Sequence, residues 1–228
     1  MNPLPADYVG PVPIFPLPTV VLFPYTVVPL HIYEARYRAM IEDALKSDRL
    51  IAMALLKPGW ERDYEGAPPV HDVLGVGRIV RDERLEDGRF NILLHGLARA
   101  RIEELIPPAP YRRARVRVLP EPAGAVSPRL ERVRLGLLAV YSSVLNSGSS
   151  GPIQIEPNLS LGTLCDRLAA ILEVEVAQKQ AVLEELEPAA RAARTIELIR
   201  QSPLAGQPVE SGLRKIAKRA WPPDSSSN

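Results

Sequence analysis

The side chains of this sequence best suited to ligate a metal or transfer a proton are His31, His71, His95 and the single cysteine, Cys165. Zinc sites place histidines and cysteines at short, regular spacings, which these four residues lack. An isolated histidine is more typical of a polar residue at a strand edge than of a proton carrier. A lone cysteine cannot form an internal disulfide, so we expect Cys165 to be a buried apolar residue in a reducing compartment. The sequence therefore predicts no metal site and no catalytic histidine.

Nucleotide hydrolysis and serine-based catalysis both need motifs that this sequence lacks. A phosphate-binding loop of the common type places a lysine directly after a glycine, and none of the five lysines follows a glycine. The glycine- and serine-rich run at residues 148–151 follows a predicted helix, where it suits a linker better than a strained strand-to-helix turn. We therefore expect no enzyme activity, no catalytic residue and no cofactor.

Arginines form the strongest local concentration of charge. Arg113, Arg115 and Arg117 alternate along one predicted strand, and residues 99–117 hold six arginines against Glu103 and Glu104. This candidate basic patch makes an RNA-binding module one hypothesis. The alternative is a solvated strand face, because aromatic residues that could stack on bases are nearly absent there. We favour the second interpretation, since a net charge of +1 provides no global attraction for nucleic acid or acidic membranes.

The elements that must position these residues begin with an unusual strand path. Pro16, Pro18, Pro24 and Pro29 interrupt short apolar runs, and proline confines such runs to short or edge strands because it cannot donate to a sheet ladder. Apolar residues then recur with helical spacing over residues 34–46, and residues 50–56 form a fully apolar run typical of a buried strand.

The rest of the chain divides into a strand-rich part and a helical part. A hairpin turn is expected at Asp87-Gly88, and Ser127 is a predicted N-cap followed by a proline in the first helical turn. Gly75, Gly77 and Gly96 indicate strand positions that another backbone approaches closely. The further predicted strands are residues 73–80, 90–94, 100–106 and 113–119, and the further helices are residues 161–172, 175–186 and 188–201.

Several motifs in this order resemble one known family. They are FPL at residues 15–17, VLFP at 21–24, VPLHIYEARYRAM at 28–40, LGVGRIV at 74–80, DGR at 87–89, GLARARI at 96–102, and helical matches at 164–172 and 178–184. The sequence resembles the LON substrate-binding domain, the N-terminal domain of Lon protease, as found in small bacterial proteins. Within the motif, we expect structural roles for Glu34, Arg36 and Tyr37, since a carboxylate is favoured in a first helical turn.

The resemblance implies an α+β fold. We expect a β-rich, PUA-like LON domain with one inserted helix over residues 1–122, a small α-helical bundle over residues 123–201, and a mostly flexible tail over residues 202–228. Neither a run of about 20 apolar residues that could span a membrane nor a secretory signal is recognisable. The expected location is therefore the cytoplasm, with no membrane partner.

The resemblance also implies a non-catalytic module that binds unfolded polypeptide or a protein partner and lacks the ATPase and protease domains of Lon. The alternatives are a PUA-like RNA-binding module and a component or adaptor of ATP-dependent proteolysis. Peptide binding would use an apolar groove or an exposed strand edge. The candidate peptide contacts are large aromatic residues in predicted turns or loops, namely Phe23, Tyr25, Trp60 and Tyr64. The oligomeric state is left open.

Overall fold

A computed structural model describes residues 4–5, 7–63, 66–107, 110–123, 127–147 and 156–202. Tyr64, residues 148–151 and the predicted tail beyond residue 202 lie outside these ranges.

The described residues form six strands and five α-helices in the predicted α+β order, which confirms the fold class. The helix α1 is inserted among the strands, and α2 to α5 follow them. The elements are β1 (Val9–Leu17), β2 (Val27–Ile32), α1 (Ala35–Leu45), β3 (Leu50–Leu55), a short 3-10 helix (Trp60–Asp63), β4 (Val73–Arg84), β5 (Phe90–Ile106), β6 (Arg113–Val118), α2 (Pro128–Ser147), α3 (Leu161–Ile171), α4 (Val176–Glu184) and α5 (Pro188–Gln201).

One strand prediction was wrong, because residues 90–94 and 100–106 belong to a single 17-residue strand, β5. It pairs with β4 from Phe90 to Arg101, with register shifts between Val76 and Gly77 and between Ile79 and Arg81. Such irregularities bend a strand without ending it. The apparent break around Gly96 is therefore a bend in one continuous strand.

The strands close into a barrel, and β2 lies outside the closed ring. The strand order is β2-β5-β4-β3-β1-β6, and β6 also pairs with β5. Residues 90–95 of β5 pair with β2, whereas residues 100–106 of the same strand pair with β6. Among the described residues, no strand pairs with the other edge of β2. Pro29 therefore sits on an edge strand, as predicted.

The prolines of β1 are tolerated for a related reason. Residues 9–13 pair with β6, whereas residues 14–17 pair with β3. Each half of this strand has one pairing partner, so a missing N–H group need not interrupt a ladder on both sides.

The apolar run of β3 is explained by two cores on opposite faces of the strand. Leu50, Ala52 and Ala54 point into the barrel interior, while Ile51 and Met53 pack with the buried face of α1. Successive side chains of a strand point to opposite faces, so burial of both faces requires a continuous apolar sequence.

Two glycines hold the segment between β1 and β2 against the barrel. A Cβ atom on Gly75 would overlap the carbonyl oxygen of Leu22, and one on Gly96 would overlap that of Phe23. Gly96 also accepts a hydrogen bond from the N–H of Tyr25 and donates one to the carbonyl of Thr26, both at 2.8 Å. The predicted close approach is confirmed, and it sets the point at which β2 begins.

The helices α3, α4 and α5 pack directly on the barrel. Val21, Phe23 and Val73 share one apolar cluster with Leu172 and Leu183. Beside that cluster, the side-chain amide of Gln180 donates to the carbonyl of Val73 at 2.9 Å. The barrel and the helices therefore have part of their core in common.

A buried ion pair joins the same two parts. Arg99 of β5 donates two hydrogen bonds to Asp166 of α3 and a third, of 2.9 Å, to the carbonyl of Leu183. The side chains of Arg99 and Asp166 are 5% and 1% exposed. Arg191 of α5, fully buried, lies 3.5 Å from Asp166 and pairs with Glu121 at 2.6 Å. Arg99 therefore lies at the interface between the barrel and the helices. It does not belong to the basic patch, although it is close to that patch in sequence.

Replacing Gly96 by alanine should destabilise the protein by about 2 kcal/mol or more, because the added methyl group forces the Phe23 backbone away from β5. The measurement is the free energy of unfolding in denaturant. Gly136 is the matched control, since it lies exposed in α2 with open space around it. Gly136→Ala should stabilise the helix by up to about 1 kcal/mol. Equal effects at the two sites would contradict the close approach.

Replacing Arg99 by methionine should cost about 3 kcal/mol or more, because Asp166 loses both hydrogen bonds from Arg99 and keeps only Arg191, at 3.5 Å, as a buried counter-charge. The measurement is the rate at which a thiol reagent labels the buried Cys165. Burial raises the pKa of its thiol to about 12, so at pH 8 a thiol reagent should label it only when the helices open. Labelling should accelerate by about two to three orders of magnitude in Arg99→Met.

The control for this substitution is Arg117→Met, which removes an exposed pair with Glu103. That change should cost less than about 1 kcal/mol and leave the labelling rate nearly unchanged. Similar labelling of the two variants would exclude Arg99 as the main electrostatic link between barrel and helices.

Candidate functional site

Two apolar cavities border the edge strand β2. The first, which we call the helix cleft, has a volume of 860 Å³ and is lined by residues 19–21 and 25–29 on the barrel side. Its other wall consists of residues from α2, α3 and α4 and the α3–α4 connection, including Tyr141, Ala170 and Leu172. The second, the tyrosine recess, has a volume of 540 Å³ and is lined mainly by Leu17, Pro18, residues 30–34 and Trp60.

The two cavities border consecutive stretches of β2. The helix cleft is lined by each residue from Thr26 to Pro29, and the tyrosine recess by each residue from Leu30 to Ile32. The two cavities therefore follow one another along the strand.

The turn that leads into β2 holds an aromatic side chain in an unusual conformation. Tyr25 has a φ of 62°, a left-handed conformation that costs a residue with a Cβ atom about 1–2 kcal/mol. Hydrogen bonds from the Thr26 hydroxyl to the Phe23 carbonyl, at 2.7 Å, and from Tyr25 to Gly96 hold the turn. The Tyr25 side chain, 52% exposed, lines the helix cleft beside Val27, which is 51% exposed.

The charges of the helix cleft come from α3, α4 and their connection. Lys179, whose pKa is lowered by burial, donates a hydrogen bond of 3.1 Å to the carbonyl of Ala170 and interacts electrostatically with Glu173. Arg167 also lines the cleft and is partly buried. Within the described part of the chain, Arg167 takes part in no hydrogen bond or ion pair.

A polar network borders the tyrosine recess. His31 shares a hydrogen bond of 2.7 Å with Asn91, whose amide donates to Glu83 at 3.1 Å. Arg89 lies 3.3 Å from the other ring nitrogen of His31. The ring of His31 stacks on Tyr33, which is 61% exposed. This arrangement leaves His31 as a polar residue at a strand edge, the interpretation favoured from the sequence.

The four aromatic residues predicted to contact a peptide do not all lie at the two cavities. Tyr25 lines the helix cleft, and Trp60 lines the tyrosine recess. Phe23 is 0% exposed and packs beneath the helices. We therefore correct its assignment to a core residue, because helices remote in sequence cover its turn. Tyr64 lies outside the described residues, and its assignment stays a prediction.

The candidate basic patch is largely neutralised. Arg113, Arg115 and Arg117 alternate on the exposed face of β6 as expected. Arg115 lies 3.4 Å from Glu104, and Arg117 pairs with Glu103. These pairs remove much of the local charge that an RNA backbone would require.

The remaining histidines do not form a metal site with other described residues. His71 lies 3.1 Å from Glu184 across the junction of barrel and α4, and burial lowers the pKa of His95. Among the described residues, no three histidine, cysteine, aspartate or glutamate side chains cluster as metal ligands would. A search of the same residues for helices with the length and apolarity of a membrane span found none.

A family model described as the ATP-dependent protease La (LON) substrate-binding domain matches residues 11–201. The chain belongs to the LON substrate-binding domain family. Lon protease 2 of Myxococcus xanthus is 30% identical over 191 residues, which cover 82% of this chain and 23% of that protein. Lon protease of Aquifex aeolicus is 30% identical over 91% of this chain and 26% of its own length. The chain thus spans about a quarter of these relatives.

Solved structures confirm the fold of the LON domain. A Lon N-terminal domain protein from Xanthomonas campestris has a TM-score of 0.61 at 20% identity and covers 85% of this chain and 99% of its own. The N-terminal domain of Mycobacterium avium complex Lon protease has a TM-score of 0.62 at 16% identity, with coverages of 84% and 98%.

Sequence reasoning missed the helical wall of the cleft. No sequence motif marked Tyr141, Arg167 or Lys179 as members of a site. Helical periodicity gives the angular position of a side chain on its own helix. It does not indicate that α2, α3 and α4 meet the barrel beside β2.

Proposed function

We propose that this LON domain binds extended polypeptide segments, such as those of unfolded proteins, along the free edge of β2. The observation that carries the proposal is an edge strand bordered by two successive apolar cavities. An extended peptide can add to such an edge as a further strand, with main-chain hydrogen bonds that tolerate many sequences.

The walls of the two cavities supply the apolar part of the binding energy. Val27, Tyr25 and Leu30 on the barrel side face cavities whose other residues include Leu172 and Trp60. A peptide strand directs alternate side chains to opposite sides. Apolar side chains of one bound segment could therefore enter the helix cleft and the tyrosine recess in succession.

The comparisons support a substrate-binding role related to proteolysis. The matching family model is named for substrate binding, and the relatives are named Lon proteases. On this basis, we infer that polypeptides held here are bound intact and handled by, or in competition with, an ATP-dependent protease. Incubating a bound polypeptide with this protein alone should leave it uncleaved, which gel electrophoresis would detect.

Backbone-methylated peptides provide the direct test of strand addition. A capped ten-residue peptide of alternating valine and threonine should bind without nucleotide, as measured by calorimetry. Methylating alternate backbone nitrogens in the register that faces β2 should weaken binding by about tenfold or more, because several hydrogen bonds are lost. Methylation in the other register is the matched control and should have a much smaller effect. Equal losses in both registers would exclude pairing along one edge.

The substitution Tyr25→Gly should reduce peptide affinity without a large change in stability. Glycine adopts the left-handed conformation without strain, so the free energy of unfolding should stay within about 1 kcal/mol of the original protein. Peptide affinity should fall by about fivefold, since the exposed ring is lost from the cleft wall. Leu135→Ala is the control, because Leu135 is also 50% exposed but lies on α2 outside the cleft. Unchanged affinity in Tyr25→Gly would remove this residue from the site.

A further inference from the structure

The helix cleft has an unbalanced positive charge beside the edge of β2. Its charged lining residues are Arg167, Glu173 and Lys179. Glu173 and Lys179 interact with each other, and the Lys179 ammonium also caps α3 through the carbonyl of Ala170. Arg167 is left without a hydrogen-bonding or ionic partner among the described residues.

Arg167 lines the same cavity as the first residues of β2. The helix cleft is bordered by Arg167 on its helical wall and by each residue from Tyr25 to Pro29 on the opposite wall. Burial lowers the pKa of His95, the β5 residue opposite Val27, and the charge of Arg167 acts in the same direction. A peptide side chain that enters the cleft beside Val27 would therefore meet Arg167.

A guanidinium in such a place favours one kind of ligand. Its planar array of N–H donors matches a carboxylate, and hydrogen bonds between charged groups are about twice as strong as neutral ones. The apolar walls of the cleft reduce solvent screening, so the interaction should be worth more there than on an open surface. An amide or an ammonium group in the same place would gain less or be repelled.

We propose that Arg167 makes the helix cleft selective for extended segments that carry an aspartate or glutamate side chain next to apolar residues. This selectivity rests on the proposed polypeptide binding at β2. It goes further, because strand addition by itself does not discriminate between acidic, neutral and basic side chains.

The test is a scan of a single charge along a capped peptide. In the ten-residue valine–threonine peptide, acetylated and amidated to remove terminal charges, one residue at a time is replaced by Glu, Gln or Lys. At one or two positions the Glu peptide should bind about tenfold more tightly than the Gln peptide, and the Lys peptide more weakly than either. Raising the salt concentration should reduce the difference.

Variants of the protein test whether Arg167 causes the preference for Glu over Gln peptides. Arg167→Met should abolish the difference between Glu and Gln peptides, and Arg167→Glu should reverse the preference in favour of Lys. Arg132→Met is the matched control, because Arg132 is exposed on α2 and lies outside the cleft. That variant should retain the full preference. The charge reversal keeps the test decisive if Arg167→Met proves unstable.

The outcomes distinguish the two proposals. Equal affinity for Glu and Gln peptides at every position would overturn the selectivity while leaving polypeptide binding in place. A Glu preference that persists in Arg167→Met would assign it to another cation and likewise overturn the inference. Binding of none of the peptides would overturn strand addition at β2, and the selectivity with it.

Discussion

The close contact between the Leu22–Phe23 backbone and the glycines of β4 and β5 is the constraint on which the candidate site depends. Because Gly75 and Gly96 have no side chains, the proline-rich segment can lie directly on the barrel. Gly96 then bonds to Tyr25 and Thr26, which fixes the start of β2 beside one half of β5. This contact fixes the turn at Tyr25, and the ladder with β5 continues from it along β2.

The second wall of the site depends on how the helices dock. The apolar cluster around Phe23 excludes water from the junction, and the pair of Arg99 with Asp166 allows two charges to be buried there. A buried ion pair adds little net stability compared with apolar residues, but breaking it is costly. The pair holds Arg99 of β5 against α3, the helix that carries Arg167.

In the proposed binding mode, the two cavities and the edge strand have different roles. Backbone groups of β2 would bind a chain of almost any sequence, whereas the apolar walls and Arg167 would select among side chains. This division suits a domain whose family is named for substrate binding. The large apolar residues exposed beside the two cavities are Tyr25, Val27 and Tyr33.

The sequence alone determined those features that depend on local chemistry. Helical periodicity located α1, an N-cap followed by a proline marked the start of α2, a continuous apolar run located β3, and Gly88 marked the hairpin turn, where its φ is 80°. Proline spacing and the accompanying motifs were enough to identify the family, and the glycines indicated close backbone contacts.

Only the tertiary structure decided which surfaces are covered. Phe23 and Arg99 looked exposed because their local patterns are those of a turn and an alternating strand, yet helices more than 60 residues away bury both. Among the described residues, the same folding leaves β2 with one pairing strand and places Arg167 in a cavity that β2 also lines. Burial and proximity depend on contacts between distant segments, and local sequence patterns carry no direct information about those contacts.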